Sequence, residues 1–125
     1  MKKMLLIIAV LPMVSCAAQI KLSDASLKID TVDLVSACDC NHAFLLNMEE
    51  DVAILTEVKR INKKGSQMSW LDEEYKKRLD KHWQFFTRCK AIYKEQGSGS
   101  NCENFKKGEE LDKKLNALLK ELGME

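Results

Sequence analysis

The sequence predicts an all-α fold, a small disulfide-stapled three-helix bundle with an extended N-terminal arm. Three observations carry this expectation. Apolar residues recur at three- and four-residue steps in segments around 36–62, 70–93 and 109–122. Gly- and Ser-bearing stretches, Lys63-Lys64-Gly65-Ser66 and Gln96-Gly97-Ser98-Gly99-Ser100-Asn101, separate those segments. Cys38, Cys40, Cys89 and Cys102 lie at what would be the ends of the helices, where cross-links can fasten them.

The first helix is expected from Ser36 to Asn62. Ser36 with Asp39 three residues later forms a capping-box pattern in which Asp replaces Glu, and Asp33 is an alternative cap. Phe44, Met48, Leu55, Val58 and Asn62 make one stripe, which Leu45 and Val52 widen toward a second packing surface. Lys63 and Lys64 suit the negative end of the helix dipole, and Gly65 can take the left-handed conformation that stops the helix. The second helix starts after Ser69, with Asp72 at the capping-box position. Leu71, Tyr75, Leu79, His82, Phe86, Cys89 and Tyr93 follow one line, with Trp83 and Ile92 beside it. A short connection at Gly65 makes these two helices an antiparallel hairpin. The Gly- and Ser-rich 96–101 stretch reads as a flexible break. A third helix covers 109–122 at least, with a start as early as Glu103; Leu111, Leu115, Leu118, Leu119 and Leu122 mark its face and Gly123 its cap.

The hairpin brings Cys40 opposite a position within one turn of Cys89. Cys38 and Cys40 point about 200° apart on a helix, so they cannot both face the second helix. Cys40–Cys89 with Cys38–Cys102 is the first expectation, and the swapped pairing Cys38–Cys89 with Cys40–Cys102 is nearly as good. Each bridge would stabilise the bundle by about 2–4 kcal/mol.

The chain has 125 residues, enough for one domain with a modest core. Its 20 basic and 19 acidic residues are interspersed, so no basic stripe exists to bind nucleic acid. Lys2 and Lys3 precede an apolar run over 4–14, too short to span a bilayer, with small residues after it: the layout of an export signal. Met13-Val14-Ser15-Cys16 resembles the lipobox of bacterial lipoproteins, departing from it at Met13, where that family prefers Leu. The resemblance implies that Cys16 is diacylated and becomes the mature N-terminus. Cleavage after Ala17 or Ala18 to give a soluble secreted form is the alternative. Either route removes Cys16 from disulfide chemistry and leaves an even number of cysteines for an oxidising compartment. The organisation expected is a signal peptide at 1–15, a lipid-anchored tether at 16–33 and a helical domain at 34–125, facing the periplasm or the exterior. Leu27, Ile29 and Thr31 alternate in that tether and could form a short strand, but an unpaired strand gains little.

No catalytic motif emerges. Cys38-Asp39-Cys40-Asn41-His42 offers zinc- or copper-type ligands, with Cys89, Cys102 or His82 to complete a set. An oxidising compartment favours disulfides over that metal site, so no metal or cofactor is expected. His82 reads as a core histidine, and the consecutive acids Glu49-Glu50-Asp51 and Glu73-Glu74 fan around their helices instead of converging. Among the aromatics, Trp83 and Phe86 read as core. Phe85, Tyr93 and Trp70, with Arg78 and Arg88, are the candidate anchors for a protein partner. The segment His82-Trp83-Gln84-Phe85-Phe86-Thr87-Arg88-Cys89 resembles the Trp-to-Cys stretch of small helical lysozyme-inhibitor-like domains, which implies inhibition of a partner enzyme. The expectation is a non-catalytic cell-envelope lipoprotein that binds another protein as adaptor, accessory subunit or inhibitor. The alternatives are a small-ligand or metal carrier using the cysteine-rich end and a purely structural envelope protein.

Overall fold

A computed structural model describes residues 21–62 and 69–124. The leader, Cys16, the start of the tether and the expected stop at Lys63-Lys64-Gly65 therefore lie outside the described residues, as do the side chains of Asn62 and Ser69. The fold is all-α: helices α1 (Ala37–Asn62), α2 (Ser69–Gln96) and α3 (Phe105–Glu121), preceded by two single-turn 3-10 helices at Ser26–Lys28 and Thr31–Asp33.

Helix α1 begins as a reciprocal capping box. Ser36 Oγ accepts from the Asp39 amide at 3.1 Å, while Asp39 Oδ2 accepts from the Ser36 amide at 3.1 Å and the Val35 amide at 3.0 Å. These donors, Val35 foremost, hold the Asp39 carboxyl below the usual carboxylate range. α1 then runs through the centre of the bundle. α2 packs antiparallel to it, with Cys40 joined to Cys89 at one end and Ile54, Val58 and Ile61 against Leu71 at the other. α3 lies parallel to α1. Its register is marked by Cys38 joined to Cys102, Lys107 beside Glu49 at 3.1 Å and Lys59 beside Glu121 at 2.6 Å. The sulfur pairings are those placed first by the hairpin argument, with Cα separations of 5.5 Å and 6.0 Å. α2 and α3 both pack on α1 and scarcely touch each other.

The structure corrects three expectations. First, residues 21–33 are not a tether standing off the domain, nor do they form a strand. They fold as 3-10 turns against α1 and α2, burying Ser26 completely and leading into buried Leu34. The reason is polar: α1 and α2 present buried charged groups that this segment satisfies. Second, the break after α2 is pinned rather than flexible. Gly97, at φ +84°, caps α2 by donating its amide to the Tyr93 carbonyl at 2.8 Å. Asn41 Nδ2 then donates to the Ser98 and Gly99 carbonyls at 3.1 and 3.2 Å. Gly99 has φ +73°, and a Cβ there would come within 2.6 Å of Asn41 Nδ2 and 2.9 Å of the Cys102 sulfur. Only glycine fits beneath that bridge.

Helix α3 starts at Phe105, between the two starts expected for it, and its first turn holds Lys106 and Lys107 and no acid. The Cys38–Cys102 bridge and the Lys107–Glu49 contact hold that end to α1. Its other end closes as expected. Gly123, at φ +68°, donates to the Lys120 carbonyl at 3.1 Å while Met124 donates to that of Leu119 at 2.8 Å, a Schellman pair. Third, the buried line on α2 is Leu71, Arg78, Phe85 and Cys89, centred about 50° around the helix from the apolar line read in the sequence. Trp83 and Phe86, expected in the core, are 55% and 46% exposed, whereas Phe85 is 0% exposed. An arginine holds the middle of the contact face, and that displaced the apparent stripe.

Candidate functional site

Two polar features interrupt the apolar packing. The first is a buried ion-pair belt that fastens α1, α2 and the N-terminal segment together. Arg78 and Glu50 are 1% and 2% exposed, and Arg78 Nε donates to Glu50 Oε1 at 3.0 Å. The remaining guanidinium bonds go to Glu74 Oε1 at 2.8 Å, the Glu74 carbonyl at 2.9 Å and the Ser23 carbonyl at 2.6 Å. Glu50 also accepts from Ser26 Oγ at 2.6 Å, the Ser26 amide at 2.8 Å and Ser23 Oγ at 3.3 Å. Asn47 Nδ2 closes the belt by donating to the Arg78 carbonyl at 3.1 Å. Hydrogen bonds from Lys77 and then Arg78 hold the Glu74 carboxyl below its usual range. A desolvated pair with so many partners is a structural device.

This arrangement removes Arg78 and Phe85 from the candidate partner anchors, since neither reaches the surface. Arg88 is exposed but its Nε is committed to the Leu34 carbonyl at 3.0 Å. Tyr93 is half-buried and donates its hydroxyl to Asn41 Oδ1 at 2.6 Å; burial pushes its phenol up to about 12. Trp70 is half-buried against the Ile54, Val58, Ile61 and Leu71 cluster. The five residues therefore do not form one surface. The aromatic rings of α2 that do face outward are those of Trp83 and Phe86, which meet edge-to-face at 5.6 Å.

The second feature is a groove. Because α2 and α3 diverge on either side of α1, they leave a cavity of about 530 Å³ between them. Asn41, Phe44, Met48 and Asp51 of α1 form its floor. Tyr75, Leu79 and His82 make the α2 wall, and Phe105, Gly108, Leu115 and Leu119 much of the α3 wall. This size lies within the range of small-molecule sites, and the mixture of an apolar lining with a few polar groups is their usual composition. His82 meets the rings of Phe44 and Trp83 at 5.4 and 5.3 Å, and burial depresses its pKa. No hydrogen bond joins His82 to a carboxylate among the described residues, so nothing there orients the imidazole for proton transfer.

Asp51 is the anomaly of the groove. It is 6% exposed, and its Oδ1 is enclosed without a hydrogen-bond partner among the described residues. Burial lifts its carboxyl from 3.8 to about 7, against the pull of the nearby Arg78 charge and with a smaller push from Glu50. The folded state therefore holds the proton more tightly than the unfolded chain does. Between about pH 4 and pH 7 the fold loses stability as pH rises, and above that range the full cost of a buried carboxylate remains. That cost is at most about 4 kcal/mol for a shift of this size. Asp51→Asn, neutral at every pH, is expected to be more stable than the parent by about 2–4 kcal/mol at pH 8, with the advantage shrinking toward pH 5. Urea unfolding of both proteins across that range checks this; a difference independent of pH would refute it.

The disulfides take up all four sulfurs of the sequence-derived metal array, so no thiolate remains there, and His42 is left exposed beside Asn104 Nδ2 at 3.3 Å. Among the described residues no group of three His, Cys, Asp or Glu side chains is placed to hold a metal ion. Sequence reading missed Asp51 as a site residue because it took the three consecutive acids Glu49-Glu50-Asp51 only as groups that fan around the helix without converging. No family model matches this chain, and comparison with curated proteins and with solved structures finds no match.

Proposed function

We propose that this chain is a non-catalytic binding protein of the cell envelope, anchored by lipid at Cys16, that carries a small apolar molecule between α2 and α3. The observation that carries this reading is the groove: about 530 Å³, apolar-walled, with a buried polar group on its floor. The leader-like segment and the lipobox-like Met13-Val14-Ser15-Cys16 support export and anchoring. Two disulfides agree with an oxidising compartment. No helix among the described residues is long and apolar enough to cross a membrane. The stapled, capped helices keep the groove open at low conformational cost, as carriage of a ligand requires.

Gly108 gives a direct test. A Cβ added there would sit 3.9 Å from Met48 Cε, inside the groove, so a larger side chain enters the ligand space. It also replaces a helix-interior glycine, which favours the fold by up to about 1 kcal/mol. Gly108→Leu is expected to leave thermal stability equal or higher while abolishing uptake of the neutral fluorophore N-phenyl-1-naphthylamine, which the parent should bind one to one. Failure of the parent to bind, or equal binding by both proteins, would overturn the reading.

A second reading, a protein partner on α2, is favoured by the exposure of Trp83 and Phe86 together. Crosslinking of the intact lipoprotein in its own membrane to one protein, lost in Trp83→Ala while fluorophore uptake is kept, would favour it.

A further inference from the structure

We infer that the groove selects an amphiphile with an apolar body and a protonated amine head, the amine seating against Asp51. This rests on the carrier reading above and goes further by assigning the chemistry of the ligand. The first ground is Asp51 itself, which lines the groove beside Asn41, Phe44 and Met48, is nearly buried, and has an oxygen, Oδ1, that finds no donor among the described residues. Burying such a group unpaired costs about 1–3 kcal/mol, more when it is charged, and a ligand N–H would recover that cost on binding.

The second ground is the sign of the lining. Asp51, Glu109 and Asp112 are its carboxylates, and neither Lys nor Arg lines it. Arg78, the α2 cation whose charge acts on Asp51, is engaged by Glu50, Glu74 and the Ser23 carbonyl. His82 on the same wall is disfavoured as a cation by burial. An anionic amphiphile would meet three carboxylates with no counter-charge, and a neutral one could at most hydrogen-bond to Asp51 without balancing its charge. A primary ammonium satisfies both conditions, donating to Asp51 inside with Glu109 and Asp112 at the rim.

The third ground is size. A partner helix about 10 Å across fills more than 530 Å³ within two turns, so the space suits a short-chain molecule and not a helical segment. The groups bearing on Asp51 are Glu50 on its own helix, Tyr75, His82 and Arg78 on α2, and Glu109 and Asp112 on α3. Of these, Asp51 itself undergoes the change in charge near neutrality that matters here, so amine selectivity should strengthen as pH rises through that region.

The probes are octylamine, octanol and octanoate, which share one chain length and differ in head charge. Binding to the full chain is measured by calorimetry at about pH 8, where the amine is protonated. Octylamine is expected to bind at least about tenfold more tightly than octanol, equivalent to about 1.4 kcal/mol, with octanoate weakest. Asp51→Asn should bring octylamine down to the level of octanol and leave octanol unchanged. In the parent, the amine advantage should shrink toward pH 5. Equal binding of amine and alcohol by the parent, or an advantage that survives Asp51→Asn, would overturn the amine assignment and leave the carrier reading standing. Absence of binding by all three probes would overturn both.

Discussion

Arg78→Met is expected to destabilise the protein by about 3–5 kcal/mol, the cost of leaving a buried carboxylate without its counter-charge. Methionine fills most of the space of the arginine stem, so the loss is electrostatic more than a packing defect. Glu50 would stay enclosed with only the Ser23 and Ser26 donors, while the Ser23 carbonyl would lose one guanidinium bond and Glu74 two. The loss also has a location. The N-terminal 3-10 segment is held to α1 and α2 through these groups, so amide exchange around Ser26 should accelerate before that of the α1 core. Adding Glu50→Gln to Arg78→Met removes the unpaired charge yet keeps an acceptor for Ser26, so the double variant should recover part of the stability. Urea unfolding read with hydrogen exchange measures both effects. If Arg78→Met unfolds at the parent midpoint, or the double variant is the weaker of the two, the belt does not hold the fold as described.

What the sequence discloses divides along the same physical line. Helix existence and capping are local, so the Ser36 and Asp39 box and the Gly123 cap are readable from a few adjacent residues. The hairpin follows from two helices of similar length and a short connection. It places Cys40 near Cys89, and the sulfurs join there. The buried belt defeated the same logic because apolar periodicity assumes that contacts are apolar. Arg78 in the centre of α2 moved the apparent stripe toward Tyr75 and Phe86 and left Phe85 looking like a surface anchor. A signal did exist: Glu50 and Arg78 are opposite charges at mirrored positions about the hairpin connection, as Cys40 and Cys89 are. Ser26 and its neighbours carry no periodicity at all, so their docking onto Glu50 has no pattern to read. The groove is less legible still. It exists because α2 and α3 diverge, a relation between helices that no single segment encodes, and Asp51 looks like one more surface acid until α1 is known to be enclosed on nearly every side.

Loss of both disulfides should abolish folding, whereas loss of either one should not. Cys38–Cys102 and Cys40–Cys89 are nested, with sequence separations of 64 and 49. The first bridge to close restricts a long loop of the unfolded chain and contributes about 4 kcal/mol; the second closes a ring of only about 15 residues and adds about 3. Either bridge removed alone therefore costs about 3 kcal/mol, while removing both costs about 7, comparable to the whole stability of a small domain. The two sites differ in their surroundings. Cys40 and Cys89 are fully buried beside Phe85, Ala43 and Leu34, so their replacement by alanine adds a cavity to the lost cross-link. Cys38 is exposed and Cys102 half-buried, so their replacement adds less. The order expected in urea midpoint is parent, then Cys38→Ala with Cys102→Ala, then Cys40→Ala with Cys89→Ala, then the four-alanine variant, which should show no cooperative transition. Dithiothreitol should take the parent to that same endpoint. A four-alanine protein that unfolds cooperatively near the parent midpoint would mean that helix packing and the Arg78 belt suffice, and that the bridges restrain a chain already folded.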